Sequence, residues 1–339
     1  MIEIRDLTKV YGNTTVLDGI DLTVDDAQIT AVVGPSGAGK STLARCINLL
    51  ERPTSGSVVV DGRDLTAVKG SQLRDARRQI GTVFQSSNLL RRLTAAQNVA
   101  LPMRHRGLPD DEVRRRVAEL LERVGMLHRA NHYPSQLSGG QRQRIGIARG
   151  LALRPSVLLA DEATSGLDPD ATRSILDLLA ELRDELNVTV LVITHEMDVV
   201  RSVADHVAHL DHGRIVEQGP VADVVRRSDS ALSRSLLPMP PTPEAPPGLD
   251  LWTLRYTAGA VPPLWLSRAS AELGGELAVV SALVEEVRGT AVGRLTVGVS
   301  AQADRTTVSE VFAGLGITAT PERDADVRVV AASAGESAA

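Results

Sequence analysis

The chain carries the stretch Gly34-Pro35-Ser36-Gly37-Ala38-Gly39-Lys40-Ser41, which follows the apolar run Ile29 to Val33. It fits the phosphate-binding pattern G-x-x-x-x-G-K-[ST] at every fixed position. Leu43, Ile47 and Leu50 follow at helical spacing, so the pattern predicts a strand, a glycine-rich turn and a helix. Glycines let backbone N–H groups face phosphate oxygens, and a helix N-terminus adds positive charge. The stretch therefore predicts a nucleoside-triphosphate site in an α/β fold.

Two side chains of this loop have predicted roles. Lys40 can reach the β- and γ-phosphates, and the Ser41 hydroxyl can take a magnesium position. A glycine-rich turn that matches by chance is the alternative, and the flanking strand and helix patterns disfavour it. The predicted ATP contacts from this segment are Gly34, Pro35, Ser36, Gly37, Ala38, Gly39, Lys40, Ser41 and Thr42.

A second apolar run, Val157 to Ala160, ends in the acidic pair Asp161 and Glu162. Ligands bind at the carboxyl ends of strands in open α/β sheets. We therefore expect Asp161 to hold magnesium through water, and Glu162 to polarise the attacking water as a general base. Such a pair is more often a solvated strand end, but the neighbouring motifs favour the functional interpretation.

The segment Leu137-Ser138-Gly139-Gly140-Gln141 lies between the phosphate loop and the acidic pair. Its serine and glycines offer backbone donors at a predicted helix N-terminus, which suits an anion. Together the three motifs resemble those of the ATP-binding-cassette family, whose members work as dimers. The resemblance implies that this segment faces the γ-phosphate held by the other subunit and that Asp168 lies at the same interface. Two copies, head to tail, would then enclose two ATP molecules.

The same resemblance assigns roles to three further residues. His195 follows the apolar run Val190 to Thr194 and would contact the γ-phosphate and help place the water. Gln85 would sense magnesium and touch the transport partner, so the expected Mg²⁺ set is Ser41, Gln85 and Asp161. Tyr11 would stack on adenine. A core position for Tyr11 is the alternative, because only 2% of the residues are aromatic.

Composition limits the function classes. A formal net charge of −5 argues against a general nucleic-acid binder. The chain has clusters of arginines, but acidic residues lie next to them, which favours solvated helix faces over a nucleic-acid surface. The single cysteine, Cys46, allows no intrachain disulfide, which fits a reducing cytosol. We expect no signal peptide and no transmembrane helix, because no apolar run approaches roughly 20 residues. A partner would supply any attachment to the membrane.

Four segments are predicted along the chain. Residues 1–236 alternate strand and helix patterns, which indicates a P-loop cassette with a mostly parallel sheet and a helical subdomain. Residues 237–249 are rich in proline and form the expected linker. Residues 250–331 show a β-α-β-β-α-β order, which is typical of a ferredoxin-like domain. Residues 332–339 are small and polar, and we expect them to be disordered.

Several stretches are similar to a narrower branch of the cassette family. The stretch Cys46 to Gly56 resembles amino-acid importers, and Ala76 to Gly81, Asn98 to Pro102 and Thr194 to Val200 resemble the ATPase subunits of methionine importers. The resemblance implies a peripheral subunit on the cytoplasmic face of the cell membrane, bound to two permease subunits and served indirectly by an extracytoplasmic lipoprotein. It also implies that the C-terminal domain binds methionine and restrains transport.

Other functions stay open on the sequence. The cargo could be another amino acid or a short peptide. A cassette ATPase without a transport role is a second class, but such proteins usually carry coiled-coil or tandem-cassette insertions. A metabolite sensor with an inert cassette is a third class, and the complete set Lys40, Asp161, Glu162 and His195 argues against it.

Overall fold

The computed structural model describes residues 1–226, 230–238, 245–256, 261–287 and 290–322, without the side chains of 285–291. The chain folds into two compact units, Met1–Val221 and Ala222–Ala339. The predicted boundaries at residues 236 and 250 remain predictions. Residues 239–244 of the predicted linker and the predicted tail, 332–339, lie outside the described residues. No helix of the described part is long and apolar enough to cross a membrane.

The first unit contains ten strands, seven α-helices and short 3-10 turns, and an eighth helix begins at its last residue. The strands are β1 Ile2–Tyr11, β2 Thr14–Val24, β3 Ile29–Val33, β4 Ser55–Val60, β5 Arg63–Asp64, β6 Ile80–Phe84, β7 Val157–Asp161, β8 Thr189–Ile193, β9 His206–Asp211 and β10 Arg214–Pro220. The helices are α1 Lys40–Ile47, α2 Gly70–Ala76, α3 Ala95–His105, α4 Asp110–Arg123, α5 Gly139–Gly150, α6 Pro169–Leu186, α7 Met197–Val203 and α8 Val221–Arg226.

A six-stranded sheet forms the centre of the first unit, in the order β10-β9-β3-β8-β7-β6. All neighbours are parallel except the edge pair β9 and β10. Every residue of β3 and β8 is buried, as a sheet covered on both faces requires. The mostly parallel sheet predicted from the apolar runs is therefore confirmed.

A second sheet was not predicted. It is antiparallel, with the order β2-β1-β4-β5. Its inner face contributes Ile2, Ile4, Leu22 and Val58 to a buried cluster that also contains Ile47 of α1. The helix that starts at the phosphate loop therefore packs between two sheets.

Helices α3, α4 and α5 pack on one another and form the predicted helical subdomain. Helix α3 begins where Thr94 and Gln97 cap it reciprocally. Helix α4 has Asp110, Asp111 and Glu112 in its first turn, where negative charge stabilises a helix. Its apolar stripe is buried against α3 and α5.

The second unit holds the predicted β-α-β-β-α-β order in full. The elements are α9 Ala231–Leu236, β11 Leu249–Tyr256, α10 Trp265–Leu273, β12 Ala278–Val287, β13 Thr290–Ser300, α11 Arg305–Gly314 and β14 Ile317–Pro321. The sheet order is β12-β13-β11-β14, with antiparallel neighbours throughout. Gly274 ends α10 in the left-handed region, as predicted.

We expect Phe312→Ala to destabilise the second unit by about 3–5 kcal/mol, because Phe312 is fully buried and its loss leaves a cavity. Tryptophan fluorescence in a urea titration can measure this. The chain has two tryptophans, Trp252 and Trp265, and both belong to this core. The exposed Glu310 of the same helix provides the control, Glu310→Ala. An unchanged midpoint for Phe312→Ala would contradict the described packing.

Candidate nucleotide-binding site

The phosphate loop joins β3 to α1 in a space that excludes side chains at two glycines. A Cβ on Gly34 would lie 2.0 Å from the carbonyl oxygen of Leu210. Gly39 has a φ of 107° and a Cβ there would lie 2.9 Å from Leu17 Cδ2. Only glycine satisfies both the backbone angle and the close approach at residue 39. The fixed positions of the motif therefore have a steric cause in this fold.

The loop forms a cradle for an anion. The ammonium group of Lys40 donates to the carbonyl oxygens of Gly34 at 2.7 Å and Pro35 at 2.9 Å. Burial lowers the pKa of Lys40, while the carboxylates of Glu162 and Asp161 act in the opposite direction. Within the described residues, the N–H groups of Gly37 and Gly39 meet no protein acceptor. These donors converge at the N-terminus of α1, which suits phosphate.

Asp161 lies at the carboxyl end of β7, where it pairs with Phe84 of β6 and Ile193 of β8. Burial raises the pKa of Asp161, and the neighbouring Glu162 carboxylate raises it further, whereas Arg45 and Lys40 lower it. A like charge nearby disfavours the ionised form of a partly buried carboxyl group such as that of Asp161. A bound cation would relieve this repulsion.

Glu162 and His195 lie side by side, as the sequence predicted for two strand ends. Nδ1 of His195 is 3.4 Å from Oε1 of Glu162. The N–H of Glu162 donates to the carbonyl oxygen of Ile193 at 2.8 Å, and Glu162 adopts a φ of 48°. A non-glycine residue in this region stores strain of about 1–3 kcal/mol. The turn therefore directs the carboxylate to the histidine at some cost in stability.

Gln85 is connected to the acidic pair through a serine. Its Nε2 donates to Oγ of Ser165 at 3.1 Å, and the N–H of Ser165 donates to the carbonyl oxygen of Glu162 at 3.1 Å. The structure therefore brings Gln85, Glu162 and His195 into one region. The sequence did not indicate the link between Ser165 and Gln85.

Two residues that hold the loop around Gln85, residues 84–88 (the glutamine loop), were not predicted from the sequence. Gln143 donates through Nε2 to the carbonyl oxygen of Phe84 and accepts through Oε1 from the Ser87 hydroxyl. Arg149 donates to the carbonyl oxygens of Ser87 and Asn88. Both side chains come from α5, where sequence reasoning would place them among solvated polar residues. Their partners are more than fifty residues distant along the chain, so no local signal identifies them.

The signature segment 137–141 forms the start of α5, as predicted. The Ser138 hydroxyl accepts from the N–H of Gln141, and Oε1 of Gln141 accepts from the N–H of Ser138. Leu137 is buried. A Cβ on Gly139 would lie 3.0 Å from Leu167, and one on Gly140 would lie 3.3 Å from Ala171. These short distances explain why small residues occupy both positions.

Asp168 caps the neighbouring helix. Its carboxylate accepts from the N–H of Ala171 at 2.8 Å, and α6 begins at the next residue. The N-termini of α5 and α6 therefore lie side by side, with Gly140 against Ala171. No hydrogen bond among the described residues joins the signature segment to the phosphate loop. Its role toward a second subunit remains a prediction.

Tyr11 is exposed over 42% of its surface, so the alternative that placed it in the core is wrong. It ends β1, and its hydroxyl donates to the Glu51 carboxylate. Glu51 was not among the predicted site residues. Stacking of Tyr11 on adenine stays a prediction.

The predicted magnesium ligands are a hydroxyl (Ser41), an amide oxygen (Gln85) and a carboxylate (Asp161), which are the hard oxygen donors that Mg²⁺ prefers. The described residues contain no group of three or more His, Cys, Asp or Glu side chains that could hold a metal ion. Magnesium at this place would therefore take further ligands from phosphate and water, as is usual for this ion. The residues present fit such a role.

Comparison with known proteins places this geometry in a family. The family described as ABC transporter matches residues 17–165. The methionine import ATP-binding protein MetN 1 of Rhodococcus jostii is 52% identical over 306 residues, covering 89% of this chain and 90% of the relative. The chain belongs to the ABC transporter family. The corresponding MetN protein of Thermobifida fusca is 52% identical over 89% of this chain and 94% of its own length.

Solved structures of ABC cassettes share the fold. A dimeric structure of the cassette MJ0796 in a post-hydrolysis state with ADP and Pi gives a TM-score of 0.60 at 35% identity, covering 65% of this chain and 99% of that chain. The structure of cbiO1 from Clostridium perfringens, part of the ABC transporter complex cbiONQ, gives 0.63 at 32% identity over 70% of this chain and 95% of that chain.

We expect Asp161→Asn to raise the unfolding temperature of the nucleotide-free ABC cassette at neutral pH. The pKa of Asp161 is raised in the folded state. The neutral Asp161 carboxyl group therefore stabilises the folded state fully at a pH below the pKa of the unfolded chain. This stabilisation is lost as the pH rises through the raised pKa of the folded state. The advantage of the variant should shrink as pH falls through that raised pKa. Thermal unfolding followed by calorimetry measures this.

The exposed Asp25 provides the matched control, because Asp25→Asn removes the same charge from a solvated position. Its unfolding temperature should stay close to that of the wild type. A lower unfolding temperature for Asp161→Asn at neutral pH would contradict the described electrostatics.

Proposed function

We propose that the chain is the ATP-hydrolysing subunit of a methionine importer. The observation that supports it most is the meeting of Lys40, Asp161, Glu162 and His195 at one edge of the parallel sheet. Two relatives that the chain covers over about nine-tenths of their length are named methionine import ATP-binding proteins. This combination favours a working ATPase over a binding protein with an inert cassette.

The geometry supports the following proposed residue roles. Lys40 and the N–H groups of residues 37–41 bind the β- and γ-phosphates, with Ser36 and Thr42 beside them. Ser41, Asp161 and Gln85 would hold Mg²⁺, and the ion would supply positive charge to the phosphoryl group that is transferred. Glu162 accepts a proton from the attacking water. His195, 3.4 Å from the Glu162 carboxylate, orients that carboxylate and reaches the γ-phosphate.

Hydrolysis needs two copies of the chain. In the segment 137–141 the N–H groups of Leu137, Ser138 and Gln141 are paired within the chain, so those of Gly139 and Gly140, in the first turn of α5, are the donors proposed for an anion held by a second copy. Asp168, at the N-terminus of the adjacent α6, lies at the same interface. Dimeric structures of a similar cassette, MJ0796, support this arrangement.

A groove next to the glutamine loop is the proposed docking site for the permease. Its cavity volume is ≈ 400 Å³. It is lined by β6, α3 and α5 residues that include Phe84, Leu101, Pro102 and Arg149. Phe84 and Asn88, on either side of Gln85, both belong to this lining. Movement of a docked permease segment would therefore act directly on the loop that carries Gln85.

The proposed transporter assembly contains two copies of this chain and two permease subunits. Two chains bind two permease subunits on the cytoplasmic face of the cell membrane as peripheral subunits, and an extracytoplasmic lipoprotein delivers the cargo. The C-terminal βαββαβ domain binds methionine as an effector when the cytosolic supply is high. No nucleic acid is involved. Importers of other amino acids or short peptides, and ABC ATPases outside transport, are the alternatives.

We expect Glu162→Gln to lower ATP turnover about 10²–10⁴-fold, because it removes the general base. The variant should still bind ATP and form a dimer in size-exclusion chromatography with ATP present. Turnover measured by phosphate release provides the test. Turnover close to the wild-type value would exclude Glu162 as the base.

The same variant tests transport in proteoliposomes that also contain the permease and the lipoprotein. ATP-dependent uptake of labelled methionine should disappear with Glu162→Gln. Unlabelled methionine should compete with the label, whereas an excess of other amino acids or short peptides should not. Effective competition by another amino acid would identify that amino acid, instead of methionine, as the cargo and would leave the ATPase assignment intact.

We expect Leu101→Glu to weaken co-purification with the permease about tenfold or more, because a charge is placed in an apolar docking groove. Leu101 is 38% exposed and lines the groove. Leu127, 46% exposed and absent from the lining, provides the matched control Leu127→Glu. Equal permease binding by both variants would place the docking site elsewhere.

A further inference from the structure

We propose that Glu51 is a positioning residue that fixes Tyr11 for the nucleotide base. The inference rests on the proposed ATPase function, and it adds a residue that neither the motifs nor the comparisons indicate. Glu51 follows α1, in the turn that leads to β4. It therefore lies at the opposite end of the helix that begins with Lys40.

The hydroxyl of Tyr11 donates a hydrogen bond to Oε2 of Glu51. Tyr11 is 42% exposed and stands at the last position of β1, so little packing restricts its ring. An exposed aromatic ring loses rotational freedom when it stacks on a ligand, and a fixed ring has already lost it. The hydrogen bond to Glu51 is one contact that restrains the ring before the base arrives.

Lys9 restrains the same ring from one face. Its ammonium nitrogen lies 4.7 Å from the Tyr11 ring centroid and 3.7 Å from Oε2 of Glu51. It also donates to the carbonyl oxygen of Arg52 at 2.7 Å, so the residue after Glu51 anchors it. A cation at this distance over a ring is attracted to its π-face. The base must therefore stack on the opposite face of Tyr11.

The other carboxylate oxygen of Glu51 is occupied as well. Nη1 of Arg45 lies 3.2 Å from Oε1 of Glu51, and the N–H of Glu51 donates to the carbonyl oxygen of Arg45 at 3.0 Å. Oε1 and the backbone N–H of Glu51 are thus held by Arg45 of α1. Arg45 therefore fixes the carboxylate that accepts the hydrogen bond from Tyr11. It also connects the proposed base-binding region to α1, the helix that begins at the phosphate loop.

Substitution of Glu51 should affect the base and not the phosphates. We expect Glu51→Ala to raise the KM for ATP about three- to tenfold, because the hydrogen bond that orders the Tyr11 ring is lost. The kcat should stay near the wild-type value. Inhibition by magnesium tripolyphosphate, which has no base, should stay the same or become tighter, because Lys9 and Arg45 lose a neutralising carboxylate. Full-length protein and a phosphate-release assay suffice.

Tyr11→Phe removes the hydroxyl and keeps the ring, so it tests the route of the effect. If Glu51 acts through that hydroxyl, the double variant with Glu51→Ala should have the KM of Glu51→Ala alone. Glu51→Gln keeps an acceptor and should give an intermediate KM. The matched control is Glu119→Ala. Glu119 lies on α4 and accepts hydrogen bonds from Arg116 and Arg123, so its loss also removes a carboxylate that arginine holds.

The outcomes separate the two proposals. No ATP turnover by the wild type would overturn the proposed function itself. Wild-type turnover with an unchanged KM in Glu51→Ala would overturn only the role of Glu51. A KM for ATP and a tripolyphosphate inhibition constant that rise together would show a general structural role and overturn it too. Additive effects of Tyr11→Phe and Glu51→Ala would overturn it in the same way.

Discussion

Parallel pairing of β3, β8 and β7 is the constraint on which the site depends. The register places Val32 opposite Ile193, and Ile193 opposite Asp161. All three strands therefore end at the same edge of the sheet. The phosphate loop leaves β3 there, the acidic pair leaves β7, and the histidine leaves β8. A shift of one residue in β7 would turn the Asp161 side chain to the opposite face of the sheet.

This convergence has an electrostatic cost that the protein partly offsets. Lys40 and Asp161 are both disfavoured in their charged forms by burial, and each is favoured by the other. Asp161 and Glu162 repel one another, and Glu162 adopts a left-handed backbone conformation. Such features are typical of sites held ready for a ligand. The triphosphate and its metal would bring the charges that this arrangement lacks.

Polar side chains outside the predicted motifs hold the loops of the site in place. Gln143 and Arg149 bind the backbone of the glutamine loop, and Ser165 connects that loop to the turn after β7. Glu51 holds the Tyr11 side chain by accepting a hydrogen bond from its hydroxyl. Each of these residues links two segments that are remote in the chain. They fix the position of one segment relative to another.

The amino-acid sequence alone indicated the α/β cassette, the βαββαβ domain and nearly every candidate site residue. This was possible because strand, turn and helix patterns are local, and because phosphate loops need glycine and lysine at set spacings. The antiparallel sheet of β1, β2, β4 and β5 and the anchors Glu51, Gln143 and Arg149 were visible only in the tertiary structure. Their partners are remote in sequence, and a polar residue whose partner is remote has the same local pattern as a solvated one.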